Sequence, residues 1–306
     1  MNNLQMILSN YLLFCKNQKR LDSKTIKAYN IDLSQFTVFQ SNDFYKSIAP
    51  NSIEDFIASL HHSYKPKTVK RKVASLKAFF HYLEYKDMIQ QNPFNKLQIK
   101  FREPVILPKT IPLNTIQLFL SILYQQEATA STSLQKKYFS RDIAVIELLF
   151  ATGIRISERC SLKPEHFDFY ENNVLIYGKG AKERRVQIGT DAVMLALKKY
   201  FQNFKEEIKL SGYFFVNRLH TRLSEQSVRN MINKYTSIAS IGLHITPHMF
   251  RHSFATYLLE EDVDIRYIQE MLGHSSISVT EIYTHVSLAK QKSILTRKHP
   301  RNTMML

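Results

Sequence analysis

Apolar residues recur three or four positions apart along most of the chain, which is the spacing of amphipathic helices. Before residue 98 there is no strand-like alternation of any length. A β segment is predicted at 174–188, around a turn at G-K-G-A-K, and residues 213–216 are a candidate further strand. The predicted helices lie near residues 3–18, 23–41, 51–62, 67–87, 114–126, 137–152, 190–208, 224–239, 247–259 and 264–272. The pattern predicts a mainly α protein whose second part also contains a small antiparallel sheet.

A proline-rich segment interrupts the helical pattern at residues 98–112. Its three prolines are too closely spaced for a helix, and periodic sequence resumes on both sides. The chain of 306 residues is also longer than one typical domain. We therefore predict two domains, 1–105 and 106–306.

The chain is strongly basic, with a formal net charge of +16. Residues 1–105 contain 16 Lys or Arg and 8 Asp or Glu, the remainder contains 26 and 18, and so each part carries +8. Nucleic acid is the polyanion that such a surface most often meets, with a membrane surface as the competing interpretation. If the partner is a duplex, both domains are expected to contact it.

The helix predicted near 67–87 separates its apolar and basic residues onto opposite faces. A basic helix face is often only a solvated surface, but the charge of the whole chain favours contact with nucleic acid. The apolar arc contains Val69, Val73, Leu76, Phe80 and Leu83. The opposite face contains Lys67, Lys70, Arg71 and Lys77, which we predict to bind DNA.

Nothing in the sequence predicts a membrane segment or a disulfide framework. No run of about 18 apolar residues appears, and the N-terminus lacks the order of a secretion signal. A cytoplasmic, nucleoid-associated protein is expected. The two cysteines, Cys15 and Cys160, have neighbours typical of helix interiors, so both are predicted to be packing residues.

One predicted helix begins with an unusual set of side chains, T-P-H-M-F-R-H-S at residues 246–253. Thr246 is a candidate N-cap and Pro247 suits the first helical position. Helical spacing then brings His248, Arg251 and His252 onto one face. Because a helix N-terminus already favours anions, these donors predict a pocket for a phosphate, a carboxylate or a transient oxyanion.

Four further stretches place reactive side chains beside breaks in the predicted elements. A-T-G-I-R-I-S-E presents Arg155 after a helix break, with Glu158 one turn on to hold its guanidinium. Y-G-K-G-A-K-E-R-R-V presents Lys179 at a hairpin turn. L-G-H-S-S-I places His274 in the loop after a helix, and T-E-I-Y-T-H contains Tyr283. Each stretch alone has an ordinary structural explanation, such as a surface ion pair, a turn, a cap or a core tyrosine.

Taken in order, the five stretches resemble the motifs of the tyrosine recombinases, the phage-integrase-like site-specific recombinases. The resemblance covers nearly the whole chain and is greatest to compact Xer-like and transposon integrases. It implies an all-helical, SAM-like core-binding domain followed by a mixed, mostly helical catalytic domain, together forming a C-shaped clamp on DNA. The basic helix near 67–87 and the following N-P-F at 92–94 also resemble the core-binding domain, though less specifically.

The resemblance implies a role for each reactive residue. Arg155 and Arg251 would grip the non-bridging oxygens of a phosphodiester, since a planar fork gives directional bonds that lysine does not. Tyr283 would attack phosphorus to form a 3′-phosphotyrosine. The remaining catalytic residues would be His248 assisting proton removal from the tyrosine, His274 donating to a phosphate oxygen, and Lys179 as general acid for the leaving 5′ oxygen.

The same resemblance implies double-stranded DNA with paired inverted-repeat core sites as the partner, and a homotetramer in the synaptic complex. Accessory DNA-bending proteins are further candidate partners. No cofactor is expected, because the phosphotyrosine keeps the bond energy. No metal site is expected either: the acids at 260–264 resemble a solvated turn, and Met249 stands where a zinc protease motif needs glutamate. A type IB topoisomerase and a non-catalytic DNA-binding regulator are the alternative functions.

Four features of the sequence leave choices open. Arg159 stands where the family usually has an aliphatic residue, and it is expected to alter an interface or to add a phosphate contact. Lys182 is the second candidate for the lysine role, and Lys182 and Arg184 are predicted DNA contacts. His252 is interpreted as a structural neighbour. The basic tail at 290–302 resembles family tails that dock on a neighbouring protomer, with a frayed end as the alternative.

Overall fold

The computed structural model of the chain describes residues 4–99, 101, 109–178 and 182–273. The chain divides into two compact units, residues 1–105 and 106–306. Each unit has a hydrophobic core of its own. Among the described residues, no helix is both long and apolar enough to cross a lipid bilayer.

The first unit is helical. Asp22 and Asp43 cap two of its helices by accepting main-chain hydrogen bonds, and Pro50 and Pro66 begin two others, where a missing N–H costs nothing. Four of its helices were predicted, and the four-residue α3 is too short to give a periodic signal. The helices are α1 (Leu4–Asn17), α2 (Ser23–Phe39), α3 (Phe44–Ser47), α4 (Pro50–Ser63) and α5 (Pro66–Tyr85).

The apolar arc of α5 lies in the centre of the first unit. All five of its predicted residues are buried, from Val69 to Leu83. Aromatic rings from other helices complete this core, with Tyr11 of α1 against Phe79 and Phe36 of α2 against Phe80. The four predicted basic residues of α5 are exposed on the other side, so the predicted division of this helix is confirmed.

The second unit is mostly helical and contains one small sheet. The predicted helix 190–208 is two helices, because the chain turns at the buried Phe204. The candidate strand at 213–216 is wrong: only one bridge forms there, between Val216 and Arg222. The helices are α6 (Leu113–Ala128), α7 (Ser133–Thr152), α8 (Ile156–Cys160), α9 (Asp191–Asn203), α10 (Lys205–Ser211), α11 (Glu225–Ile238), α12 (Pro247–Glu260) and α13 (Ile265–Leu272). The strands are β1 (Phe167–Asp168), β2 (Asn173–Tyr177) and β3 (Glu183–Gln187).

The sheet is antiparallel with the order β1-β2-β3. In the β2–β3 hairpin Val174 pairs with Val186 and Ile176 pairs with Arg184. Because alternate residues of a strand face the same side, Arg184 shares the inner face with Val186 while Arg185 faces outward. The structure confirms the predicted mainly helical fold with a small antiparallel sheet. The strand β1, only two residues long, was not predicted.

Helix α7 forms the centre of the second unit, and all of its residues from Ile143 to Leu149 are buried. Helices α6, α9 and α12 pack around it. Its C-terminus lies next to α8, α12 and α13, so Arg155, His248 and Arg251 are carried by elements that meet at this end.

Candidate active site

The site begins where α7 stops. Gly153 ends the helix in the left-handed conformation, with φ of 58°, which favours glycine. A side chain here would also collide with its surroundings, because a Cβ would lie 2.6 Å from Cδ1 of Phe254 and 2.9 Å from Cδ2 of Leu272. The glycine therefore allows α7, α12 and α13 to approach closely, two residues before Arg155.

Arg155 is the N-terminal cap residue of α8, and Glu158 fixes it twice. The main-chain N–H of Arg155 donates to Oε2 of Glu158 at 2.9 Å, and its Nη1 donates to Oε1 of the same carboxylate at 2.8 Å. Its Nη2 makes a long contact of 3.5 Å with the carbonyl oxygen of Gly273. The prediction that Glu158 holds the guanidinium of Arg155 is confirmed.

Glu158 is buried and also binds a second arginine. Arg184 donates from Nη2 to Oε2 of Glu158 at 2.8 Å and from Nη1 to Oε1 at 3.2 Å. Burial alone would raise the pKa of this carboxyl group, but the hydrogen bonds and charge of Arg184 and the bonds from Arg155 outweigh it, and the pKa is lowered. Glu158 is therefore a carboxylate at neutral pH.

Arg184 was predicted to contact DNA, but the structure shows its side chain bound within the protein. Its Nε donates to the carbonyl oxygen of Met271 at 2.8 Å, while both terminal nitrogens donate to Glu158. The side chain is almost completely buried, because the strand alternation of β3 turns it inward beside Val186. Arg184 links β3 to α8 and α13 instead of facing solvent.

Helix α12 contributes Arg251, which is also buried. Its Nη1 donates to the carbonyl oxygen of Gly153 and its Nη2 to that of Leu272, both at 2.8 Å. Pro247 occupies the predicted first position of the helix. Thr246 is the N-cap residue, but the expectation that its side chain caps the free amides is wrong, since it makes no such hydrogen bond.

Three consecutive carbonyl groups at the end of α13 thus contact three different arginines. Met271 accepts from Arg184, Leu272 accepts from Arg251, and the oxygen of Gly273 contacts Arg155. The last carbonyls of a helix have no partners within the helix, and its C-terminus favours positive charge. The end of α13 is therefore the point at which the two predicted catalytic arginines converge.

The two histidines of α12 lie beside this cluster, with their ring centroids 6.5 Å apart. Partial burial lowers the pKa of His248, and the nearby Arg251, Arg229 and Arg155 lower it further. Burial lowers the pKa of His252 to about 4, with smaller contributions from His248 and Arg251. At neutral pH the His248 imidazole is therefore uncharged and able to accept a proton.

The other predicted residues of the second unit are placed as follows. Lys179, His274 and Tyr283 lie outside the described residues. Lys182 is exposed, and its carbonyl oxygen accepts the main-chain hydrogen bond of Gly178 at 2.8 Å. Within the described ranges no group of three or more His, Cys, Asp or Glu side chains is arranged to hold a metal ion.

The expectations for Arg159 are wrong, because its side chain is completely buried. Its Nη2 donates to Sγ of Cys160 at 2.8 Å, and its guanidinium lies 5.1 Å from the ring centroid of Phe215. Nε and Nη1 of Arg159 have no hydrogen-bond partner among the described residues. Burial lowers the pKa of Arg159 and raises that of the Cys160 thiol. This arginine reaches neither a surface nor a phosphate.

In the first unit, a buried carboxylate organises part of the basic face of α5. Asp32 of α2 accepts hydrogen bonds from Arg71, from Lys72 at 3.0 Å and from Ser75 at 2.9 Å. Lys72 was not predicted, since it stands among surface lysines in the sequence, and it is buried. The other predicted residues of this face, Lys67, Lys70 and Lys77, are exposed.

Comparison with known proteins decides the family. Residues 122–290 match the model of the phage integrase family, and residues 8–86 match the phage integrase N-terminal SAM-like domain. A protein of Agathobacter rectalis named tyrosine recombinase is 60% identical over 98% of both chains. The chain belongs to the phage integrase family of tyrosine recombinases. The predicted family is therefore confirmed.

Other members of this family align over nearly the full length. Tyrosine recombinase XerC of Thermodesulfovibrio yellowstonii is 36% identical over 98% of both chains. The XerH recombinase, in a pre-cleavage complex with its difH substrate, has a TM-score of 0.70 at 22% identity, covering 95% of this chain and 83% of that one. The Tn1549 transposon integrase with transposon end DNA has a TM-score of 0.71 at 18% identity, covering 96% and 99%. The two structures share the fold of the present chain.

The alternation of residues in β3 already indicates that Arg184 faces inward, although its basic neighbourhood suggested a DNA contact. In the stretch E-R-R-V-Q, Arg184 shares one strand face with the apolar Val186. Of the two arginines, Arg185 is therefore the one expected to face solvent. No local signal predicted the partners of Arg251, because they are 98 and 21 positions away in the chain.

Proposed function

We propose that the chain is a site-specific DNA recombinase that cleaves and rejoins strands through a covalent 3′-phosphotyrosine at Tyr283 and a Holliday junction. The observation that carries this proposal is the convergence of Arg155 and Arg251 at the end of α13, with a neutral His248 beside them. Two oriented guanidiniums beside a proton acceptor are what nucleophilic attack on a phosphodiester requires.

In this mechanism the arginines neutralise charge that develops on the five-coordinate phosphorus. Glu158 holds Arg155, and two main-chain carbonyls hold Arg251, so neither guanidinium needs to reorganise during the reaction. A tyrosine with an ordinary pKa of about 10 is a poor nucleophile, and it requires a base and nearby positive charge. His248 removes the proton of Tyr283, and His274 donates a hydrogen bond to the phosphate.

Lys179 protonates the leaving 5′ oxygen, which completes the cleavage step. The phosphotyrosine retains the energy of the phosphodiester bond, and a 5′ hydroxyl from a partner duplex attacks it to reseal the strand. Neither a nucleotide cofactor nor a metal ion has a role in these steps, which proton transfer and fixed positive charge accomplish.

The substrate in this proposal is double-stranded DNA with paired inverted-repeat core sites. Four protomers on two sites exchange the strands in turn, with accessory DNA-bending proteins as further partners and the cytoplasmic nucleoid as the location. Support comes from the net charge of +16 and from the exposed basic residues of α5. Lys67, Lys70, Arg71, Lys77 and Lys182 are the proposed DNA contacts, and Arg184 is withdrawn from that set.

The alternatives of a type IB topoisomerase and of a non-catalytic regulator are not favoured. Relatives that align over the whole chain, including one at 60% identity, are named recombinases. A regulator would have no use for arginines fixed beside a neutral imidazole.

A nicked suicide duplex taken from the DNA that flanks the gene tests the proposal. The wild-type protein is expected to form a covalent adduct that survives denaturation, whereas Tyr283→Phe, which lacks only the hydroxyl, forms none. Two labelled site-bearing duplexes are then mixed, and recombinant product is expected. An adduct without recombinant product would assign the topoisomerase function, and the lack of any adduct would assign the regulator.

A further inference from the structure

We propose that Arg184 is a positioning residue of the active site, which joins the β2–β3 hairpin to Arg155 through Glu158 and to the end of α13 through Met271. This inference rests on the proposed function. It assigns to Arg184 a task in the cleavage step, in place of the DNA contact expected from its basic sequence neighbourhood.

All three guanidinium nitrogens of Arg184 donate hydrogen bonds. Nε donates to the carbonyl oxygen of Met271 at 2.8 Å, and Nη2 donates to Oε2 of Glu158 at the same distance. Nη1 donates to Oε1 of Glu158 at 3.2 Å, which is the oxygen that Arg155 also uses. The bidentate pair restricts the carboxylate to one orientation, and that orientation points Oε1 at Arg155.

The space around Arg184 is built for an arginine. A Cβ added to Gly273 would lie 2.8 Å from Nη1 of Arg184 and 3.0 Å from its Cζ. Gly273 has a φ of 64°, so both its conformation and its lack of a side chain allow the guanidinium to lie against the end of α13. The residue that follows in the chain is His274.

Arg184 therefore connects three stretches that carry proposed catalytic residues. It lies on β3, five positions after Lys179 in the sequence, and it contacts α8, which begins beside Arg155. Its third contact is with the helix end that precedes His274. A single side chain that ties these elements together sets the position of Arg155 without touching the phosphate.

The test compares Arg184→Met with Arg185→Met in the full-length protein. Both changes remove one arginine from the same strand, but Arg185 faces outward and donates only to Asn173 within the described residues. Core-site DNA affinity, its salt dependence and the single-turnover rate of adduct formation at saturating suicide duplex are measured. Melting curves confirm that each variant is folded at the assay temperature.

We expect Arg184→Met to lower the rate of adduct formation on the order of 10- to 100-fold, since small misplacements of a catalytic group have effects of this size. DNA affinity and its salt slope are expected to match those of the wild type, as are all properties of Arg185→Met. If Arg184 were a phosphate contact, the salt slope would instead fall by about one while the saturated rate stayed unchanged, and this result would overturn the inference.

Two additional variants separate positioning from simple stability. Because Arg184 and Glu158 belong to one network, adding Arg184→Met to Glu158→Gln is expected to slow cleavage by less than Arg184→Met slows the wild type, whereas independent effects would multiply in full and contradict the proposal. Arg184→Lys serves if Arg184→Met does not fold. Its single ammonium cannot reproduce the fork, so an intermediate rate is expected, and a wild-type rate would reject the inference. Lack of adduct with the wild-type protein itself would instead reject the proposed function.

Discussion

Each unit of the molecule contains a buried carboxylate that binds two cations, and in both cases one cation is buried and the other half-exposed. In the first unit Asp32 holds Lys72, 4% exposed, and Arg71, 48% exposed. In the second unit Glu158 holds Arg184, 9% exposed, and Arg155, 34% exposed. The buried cation neutralises the carboxylate within the protein, and the pair then orients an arginine that reaches solvent.

The two clusters differ in what else fixes the half-exposed arginine. Arg71 lies within a long helix, and its guanidinium donates to the side-chain carboxylate of Asp32. Arg155 is the N-terminal cap of the five-residue helix α8, and the same carboxylate accepts hydrogen bonds from its main-chain N–H and from its guanidinium. Glu158 thus determines both the backbone and the side chain of its arginine. We infer that the first cluster contributes mainly to stability and the second mainly to the reaction.

The largest expected effect is on the stability of the first unit. Asp32→Asn keeps the shape of the side chain but leaves the buried Lys72 without its counter-charge, which costs about 3–5 kcal/mol. Urea unfolding together with hydrogen exchange of the amides of α2 and α5 measures the loss. Asp55→Ala, an exposed acid on α4, is the control and is expected to change stability by less than about 0.5 kcal/mol. A loss of the same small size for Asp32→Asn would contradict the comparison.

The next effect concerns catalysis in the second unit. Arg155→Lys keeps the charge but loses the planar fork that binds Glu158 and, in the proposed mechanism, the phosphate. We expect the single-turnover cleavage rate to fall on the order of 10²- to 10³-fold, about 2.7–4 kcal/mol, with the protein still folded. The suicide-duplex assay at saturating DNA measures the rate. An unchanged rate would mean that Arg155 is not part of the reacting centre.

Arg159 extends the comparison because it is a buried cation that has no carboxylate partner among the described residues. Burying a charge is costly unless it is paired, so an apolar side chain of similar size removes that cost. Arg159→Leu is therefore expected to raise the urea midpoint or to leave it unchanged, with the cleavage rate retained. A clear loss of stability would show that the contacts of Arg159 with Cys160 and Phe215 outweigh the cost of burying its charge.

The smallest expected effect is pH-dependent. Burial lowers the pKa of His252 to about 4 from its ordinary value of 6.5, so the folded protein favours the neutral imidazole. The contribution of His252 to the free energy of unfolding is complete above pH 6.5 and is lost as the pH falls towards 4. Between pH 6.5 and pH 4 the free energy of unfolding is therefore expected to fall less in His252→Asn than in the wild type. The difference between the two proteins is expected to be at most about 2 kcal/mol. Parallel losses in both proteins would show that His252 does not titrate in this way.

Local patterns in the sequence predicted the helices, because helical periodicity and proline punctuation act over a few residues. The motif order likewise identified the family, and the three-residue spacing of Arg155 and Glu158 predicted their pairing. Long-range partners were not accessible in this way. Arg159 was expected to alter an interface or to add a phosphate contact, and Lys72 was hidden among the surface lysines of α5. In both cases tertiary packing, which no local pattern records, decides the burial.

The arginines that meet the end of α13 all bind main-chain oxygen atoms. Such contacts are indifferent to the identity of the side chains at positions 271 and 272, provided that the helix ends where it does. The outer surface of α13 can therefore diverge among relatives, and acquire new partners or new surface charge, while the geometry of the arginines is inherited unchanged. Leu272, which is buried, and Gly273, where any side chain would strike Arg184, lack this freedom.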